Sequence, residues 1–295
     1  MPRVDFDAVV HSVFSLAVNL RPNRSNRLLT LLASDQTDLP QGIRLDTSRG
    51  FSFEGLQTGE LVHCKDGFLQ FENFPLMIQL RGARRWKCNL STLEMDPAES
   101  AVSTAWSCVW DALNQRQRLS ETEIIADDLF RSTGATRSVV ARKAGEALQD
   151  LVAATQRYDS ADSSAVRALI GLGSGLTPSG DDLLVGYMAG LWCTIRGKSD
   201  RAGFIASLGK RIVHLSMQTN DISRTYLVHA AHGQVSSLLA DLAVNISRGE
   251  DFRRLLESAQ AAMQTGHSSG MDAVTGLLVG LVTWDKIQLT INFTL

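Results

Sequence analysis

A short pattern occurs twice in this chain. Ser179-Gly180-x-Asp182-x3-Gly186-x3-Gly190 recurs as Ser269-Gly270-x-Asp272-x3-Gly276-x3-Gly280, at a constant offset of 90 residues. The first copy runs on through Leu183, Leu184, Tyr187, Met188, Leu191, Trp192 and Ile195 at helical spacing, and Trp192 and Trp284 close the two runs at nearly the same place. Glycine inside a soluble helix costs about 1 kcal/mol relative to alanine. Glycines four residues apart in both runs therefore need a packing reason, and close approach of two helix backbones is the simplest one. The repeat predicts a core built from pseudo-symmetric helical units.

The lead-in to each copy is also informative. Gly171, Gly173 and Gly175 alternate ahead of Thr177 and Pro178, and Thr265-Gly266-His267-Ser268 precedes the second copy. Thr177 can cap a helix with Pro178 at its first position, while Ser179 with Asp182 is the competing cap. A glycine-loosened loop entering a helix offers backbone N–H groups and a positive dipole end, which suits a phosphate, a carboxylate or a developing oxyanion. Asp181 and Asp182 stand in the same first turn, where they would repel an anion. They either complement the dipole, or hold a divalent cation that bridges to the anion, or accept hydrogen bonds from an amide or carbamoyl nitrogen. Known phosphate motifs do not fit. No Lys-Ser/Thr pair follows the glycines, and Leu176 stands where a dinucleotide fingerprint needs a third glycine. There is no His-Glu-x-x-His, and Ser179 is not in a Gly-x-Ser-x-Gly elbow.

The rest of the chain reads as an α+β protein: a small β-rich N-terminal barrel or sandwich over residues 1–95, then a larger, mostly helical domain over residues 96–295. Strand-like stretches are His11–Leu20, Arg27–Ala33, Gly42–Leu45, Glu60–Cys64, Phe68–Phe71, Leu76–Leu80 and Arg85–Leu90, with Pro22–Asn26 as a turn and Lys65-Asp66-Gly67 as a hairpin turn. His11 and His63 fall within strands and read as structural. Glu94-Met-Asp-Pro97 is the expected junction. Helical composition follows over Ala98–Leu113, from a start at Ser120–Glu123 on to Phe130, and over Thr136–Ala154, with Asp159–Ser164 as a polar linker. Arg201–Val213, Ser237–Ser247 and Asp251–Gln264 are further helices, and Ile287–Leu295 alternates as a final strand. Between them lies Gln218–Arg224, where Thr219 and Ser223 are four apart and share a helix face, with Arg224 as the candidate cation.

A net charge of -2 excludes a basic field for nucleic acid. The four cysteines, Cys64, Cys88, Cys108 and Cys193, form no C-x-x-C pair, which fits reduced thiols in a cytoplasmic setting. No apolar stretch approaches the length of a membrane span, and the N-terminus lacks the basic start of a signal peptide.

Three blocks together carry a family resemblance: Gly173-Ser-Gly-Leu-Thr-Pro-Ser-Gly-Asp-Asp182, Thr219-x3-Ser223-x3-Leu227-x2-Ala230-x2-Gly233, and His267-Ser-Ser-Gly-x-Asp272. They resemble a bacterial family long described as a domain of unknown function, which includes the third subunit of the oxamate carbamoyltransferase of anaerobic allantoin degradation. Ser174 stands where the family loop more often has proline. The resemblance implies a reaction in which oxalurate and phosphate give oxamate and carbamoyl phosphate, run by an assembly with two other subunits. Its ligands are small anions: oxamate, oxalurate, phosphate or carbamoyl phosphate. On that expectation Gly173, Gly175, Thr177, Ser179, Gly180, Ser269 and Gly270 bind anionic oxygens, and Thr219, Ser223 and Arg224 complete the wall. Asp181, Asp182 and Asp272 orient a nitrogen or a magnesium ion, Mg2+ being the one cofactor these carboxylates suggest. His267 is the candidate general acid or base. Two other classes fit the same residues: a non-catalytic metabolite-binding or scaffold subunit, and a magnesium-dependent phosphotransferase.

Overall fold

The computed structural model describes residues 5–23, 25–120, 122–130, 138–159 and 163–284. The strand expected over Ile287–Leu295 lies outside them. The chain divides into two compact units, residues 1–87 and 88–295.

The first unit is a curled seven-stranded sheet, a half-barrel. Its strands are β1 (Phe6–Val13), β2 (Ala17–Pro22), β3 (Leu29–Leu32), β4 (Gly42–Arg44), β5 (Leu61–Lys65), β6 (Phe68–Phe71) and β7 (Met77–Gln79). The order is β4-β3-β2-β1-β5-β6-β7, antiparallel throughout except for the parallel β3–β4 pair. Alternate residues Val62/Cys64 and Leu69/Phe71 face inward and join Ala8, Val10, Val18, Leu20, Leu31 and Phe53 in one apolar core. The Asp66-Gly67 turn has φ of 52° and 80°, the left-handed pair a tight hairpin needs. Two expectations are corrected here. The run His11–Leu20 is not one strand, because Phe14 N–H donates to Ala17 C=O and turns the chain between β1 and β2. Arg85–Leu90 is not a strand either, for it ends in a short 3-10 turn, Leu90–Thr92.

The second unit is helical: α1 (Ser100–Leu119), α2 (Ala126–Leu129), α3 (Val139–Gln156), α4 (Ser164–Leu169), α5 (Ser179–Cys193), α6 (Ser199–Leu215), α7 (Asp221–Ala230), α8 (Ser237–Arg248), α9 (Phe252–Met263) and α10 (Ser269–Val282). The start expected at Ser120–Glu123 is displaced to Ala126, where the Gln117 side chain accepts from the first helical N–H. Between the expected linker, Asp159–Ser164, and the glycine loop stands α4, a helix with no counterpart among the expected elements.

The two copies of the repeat are α5 and α10, and both are buried on almost every face. A helix that is apolar all round belongs at the centre of a domain. They run parallel and touch backbone to backbone. A Cβ on Gly186 would lie 1.8 Å from the Ala273 carbonyl oxygen, and one on Gly276 2.1 Å from that of Leu183. One turn on, a Cβ on Gly190 would lie 2.5 Å from Leu277 O and one on Gly280 2.4 Å from Tyr187 O. Each contact is the image of its partner under the 90-residue offset, so the pair has a local two-fold relation. The remaining helices wrap this pair. Trp106 of α1 donates its indole N–H to Leu278 C=O at 2.8 Å, and Trp284 donates to Thr194 Oγ1 at 3.1 Å. All four cysteines are free, and among the described residues no helix is long and apolar enough to cross a membrane.

Candidate functional site

Because α5 and α10 are parallel, their N-termini lie at the same end of the pair. Both positive dipole ends converge there, about half an elementary charge each. Three aspartates are buried at this end: Asp181 (1% exposed), Asp182 (8%) and Asp272 (1%).

The helix starts differ from both caps the sequence offers. Pro178 occupies the cap position of α5, and neither Thr177 nor Ser179 caps it. Their hydroxyls are drawn across to the other helix instead. Thr177 Oγ1 and Ser269 Oγ are 2.6 Å apart, and both hydroxyls lie close enough to the Asp182 carboxyl to lower its pKa, without a hydrogen bond of normal geometry. Ser179 and Ser268 act on Asp272 in the same way. The serine that opens each copy of the repeat thus serves the aspartate of the other copy. Asp182 Oδ2 and Asp272 Oδ2 are both buried with no hydrogen-bond partner among protein atoms.

Electrostatics follow from this burial. Desolvation pushes the Asp182 carboxyl well above the usual carboxylate range, and the charge of Asp272 pushes it further. Desolvation also raises Asp272, to about 7, against the hydrogen bonds of Ser179 and Ser268, while Glu123 adds to the rise. Near neutral pH Asp272 is therefore partly protonated, and a protonated carboxyl is a hydrogen-bond donor as well as an acceptor.

Asp181 has a different task. Gly171 N–H donates to its Oδ1 at 2.9 Å and Thr219 Oγ1 to its Oδ2 at 2.5 Å. Ser223 also acts on this carboxyl, though its hydroxyl makes no bond of normal geometry. With both oxygens engaged, Asp181 braces the glycine loop against the approach to α7. Asn220 adds a second brace. It caps α7 by accepting from Ile222 and Ser223 N–H, both at 3.0 Å, and donates from Nδ2 to Leu176 C=O at 3.0 Å.

The structure thus brings together Thr177, Ser179, Asp181, Asp182, Thr219, Ser223, Ser269 and Asp272. The N–H groups of Gly180 and Gly270 belong to the same openings but already donate to Leu172 and Thr265 carbonyls, at 2.8 and 2.9 Å. Both glycines are there for close approach, since a Cβ would fall 2.0 Å from Leu169 O and 2.2 Å from Ala262 O. Gly173 and Gly175 lie in the loop with φ of 109° and 103°, and a side chain on Gly173 would press on Ser179 N. Arg224 turns to Asp221, with which it pairs, and leaves its Nε buried without a partner. His267 stands exposed in the loop ahead of α10. Among the described residues no three His, Cys, Asp or Glu side chains are arranged to hold a metal ion. Two members were not foreseen. Ser268 could have been found as the residue beside the repeat's serine, and Asn220 as an N-cap residue three positions before Ser223.

Comparison with known proteins gives two matches. Residues 169–281 match the family model described as oxamate carbamoyltransferase subunit AllH, and residues 3–85 match the AllH family N-terminal domain. Together they span roughly two thirds of the chain. The first begins within α4 and ends within α10, enclosing both helix openings. No solved structure matches the chain.

Proposed function

The chain belongs to the AllH family, described as a subunit of oxamate carbamoyltransferase, and from that premise we propose that the paired openings of α5 and α10 bind the small substrate of carbamoyl transfer. The observation that carries this reading is the presence of two buried carboxyl oxygens without partners, Asp182 Oδ2 and Asp272 Oδ2, at equivalent places of the two openings, each carboxyl influenced by the serine of the other copy. Buried polar atoms are nearly always satisfied, and such exceptions gather where a ligand completes the set.

In the reaction, the amide nitrogen of oxamate forms a bond to the carbamoyl carbon of carbamoyl phosphate. The carbon–oxygen bond to phosphate breaks, phosphate leaves with the electron pair, and the nitrogen sheds a proton. A site for these species needs a positive field for the anionic oxygens and polar groups that read nitrogen. The convergent dipoles and the hydroxyls of Thr177, Ser179, Ser268 and Ser269 serve the first need, and the Asp182/Asp272 carboxyls the second. Asp181, Thr219 and Ser223 hold the loop that closes over them, with Arg224 alongside.

The experiment is turnover of oxamate and carbamoyl phosphate, read as phosphate release, by the assembly reconstituted with wild-type chain or with Ser179→Ala/Ser269→Ala. Loss of about 100-fold or more is expected. Unchanged turnover by a folded variant contradicts the reading. The same assay on the chain alone decides whether it is catalytic without partners or a binding subunit within the assembly.

A further inference from the structure

We propose that residues 173–177 form a gate over the paired openings, latched by Asn220, and that the opening of α10 is the fixed post against which the gate closes. The gate rests on the substrate-binding role proposed above and adds how a ligand reaches a site that the protein shuts off from water.

Asp182 Oδ2 and Asp272 Oδ2 are buried, so a ligand meets them only if part of the wall moves. The two lead-in segments are unequally suited to move. Residues 264–268 join α9 to α10 in a tight turn. Thr265 N–H donates to Ala262 C=O at 3.3 Å, Gly270 N–H to Thr265 C=O at 2.9 Å and Asp272 N–H to Ser268 C=O at 2.9 Å. Gly270 itself is pressed against the end of α9. Residues 170–178, which join α4 to α5, are a longer connection. It is anchored at Leu172, whose N–H donates to Leu169 C=O at 2.9 Å and whose C=O accepts from Gly180 N–H at 2.8 Å. Past that anchor, among the described residues, the main chain of 173–177 makes no hydrogen bond to other main chain. Two side-chain contacts hold it. Thr177 Oγ1 lies 2.6 Å from Ser269 Oγ on the fixed side, and Asn220 Nδ2 donates to Leu176 C=O at 3.0 Å. Ser174, Gly175 and Leu176 are exposed, and a Cβ on Gly175 would meet nothing within 4 Å. Gly173 and Gly175 can absorb the change of backbone angles that a swing requires. A segment with so few buried contacts opens far more often than the helices beside it. Two hydrogen bonds of this kind leave an open form populated on the order of one in a hundred. The latch is separable from the helix it stands on. Asn220 Oδ1 caps α7, while Nδ2 alone reaches the loop. Aspartate at this position keeps the cap and loses the donor.

The test follows labelled oxamate entering and leaving the full chain by nuclear magnetic resonance, beside amide hydrogen exchange of the two loops. Asn220→Asp removes the latch, and Gly175→Ala strains the closed loop at its φ of 103° without touching a neighbour. Both variants should exchange the amides of residues 174–177 faster and leave those of residues 264–268 at the wild-type rate. The latch closes the empty and the occupied site alike. Oxamate should therefore enter and leave Asn220→Asp about tenfold faster, with the two rates raised in the same proportion. Gly175→Ala should raise both rates as well. A loop that only shapes the site would change affinity through one rate and leave the other as it is. Entry and exit at wild-type rates in variants whose loop exchanges faster overturn the gate while leaving the site standing, and so does a loop whose exchange neither variant changes. Failure of oxamate to bind the wild-type chain overturns the substrate-binding role itself, and the gate falls with it.

Discussion

From Leu183 and Ala273 onward, α5 and α10 meet through glycines and apolar side chains. Before those residues the same two helices meet through serines, a threonine and buried carboxyls. Both ends obey the same 90-residue correspondence, yet their energetics are opposed. At the glycine end the backbones close to contact distance and bury apolar surface, which stabilises the fold. At the serine end two carboxyl oxygens are taken out of water without partners, which costs stability. A pair selected for stability alone would carry apolar residues there. The contrast teaches that the glycine end sets the geometry, and that the geometry brings the costly groups together.

Breaking the glycine end should give the largest effect. Gly186→Ala or Gly276→Ala places a Cβ 1.8 or 2.1 Å from a backbone oxygen, closer than any rearrangement of side chains can relieve. We expect a loss of about 3 kcal/mol or more in denaturant unfolding, or no folded protein. Gly203 of α6 is the control. A Cβ there meets nothing within 4 Å, so Gly203→Ala should be neutral or stabilise by up to about 1 kcal/mol.

The serine end should respond in the opposite sense. Asp272 has a folded-state value near 7, above its ordinary 3.8. The folded protein then holds a proton that the unfolded chain releases, so this group's contribution is complete below about pH 4 and is lost as pH rises through 7. Asp272→Asn removes that dependence. Unfolding free energies from pH 5 to 8.5 should fall more steeply for wild type, with a difference at the alkaline end on the order of a few kcal/mol in favour of the variant. Parallel curves contradict the assignment.

Smaller effects should come from the braces, which belong to neither end of the pair. Thr219→Val strips Asp181 of its 2.5 Å hydrogen bond inside a buried site and should cost about 1–3 kcal/mol. Asn220→Ala removes the cap of α7 and the tie to Leu176, with a loss of about 1 kcal/mol. Both are read by denaturant titration, and hydrogen exchange should show faster opening of residues 171–176 in each.

Much of this contrast was legible in the sequence. The glycine spacing at 186/190 and 276/280 announces backbone contact, and the alternation in Val62–Cys64 and Leu69–Phe71 announces strands. Spacing does not say which hydroxyl meets which carboxyl. Ser179 and Asp182 look like a cap within one helix, and only the parallel packing of α5 on α10 turns each serine toward the other copy. Asp181 and Asp182 are adjacent, and sequence alone offers both to a ligand. On a helix adjacent residues point about 100° apart, so Asp181 faces Gly171 and Thr219 instead. The short α4 was hidden in a polar, small-residue stretch whose helicity comes from packing Val166 and Leu169 into the core.

The most direct measurement is a crystal of the full chain soaked with oxamate. The account predicts ligand density between residues 177–182 and 268–272, with the nitrogen edge on Asp182 and Asp272. Oxamate bound elsewhere, with these two openings closed on each other, would contradict it.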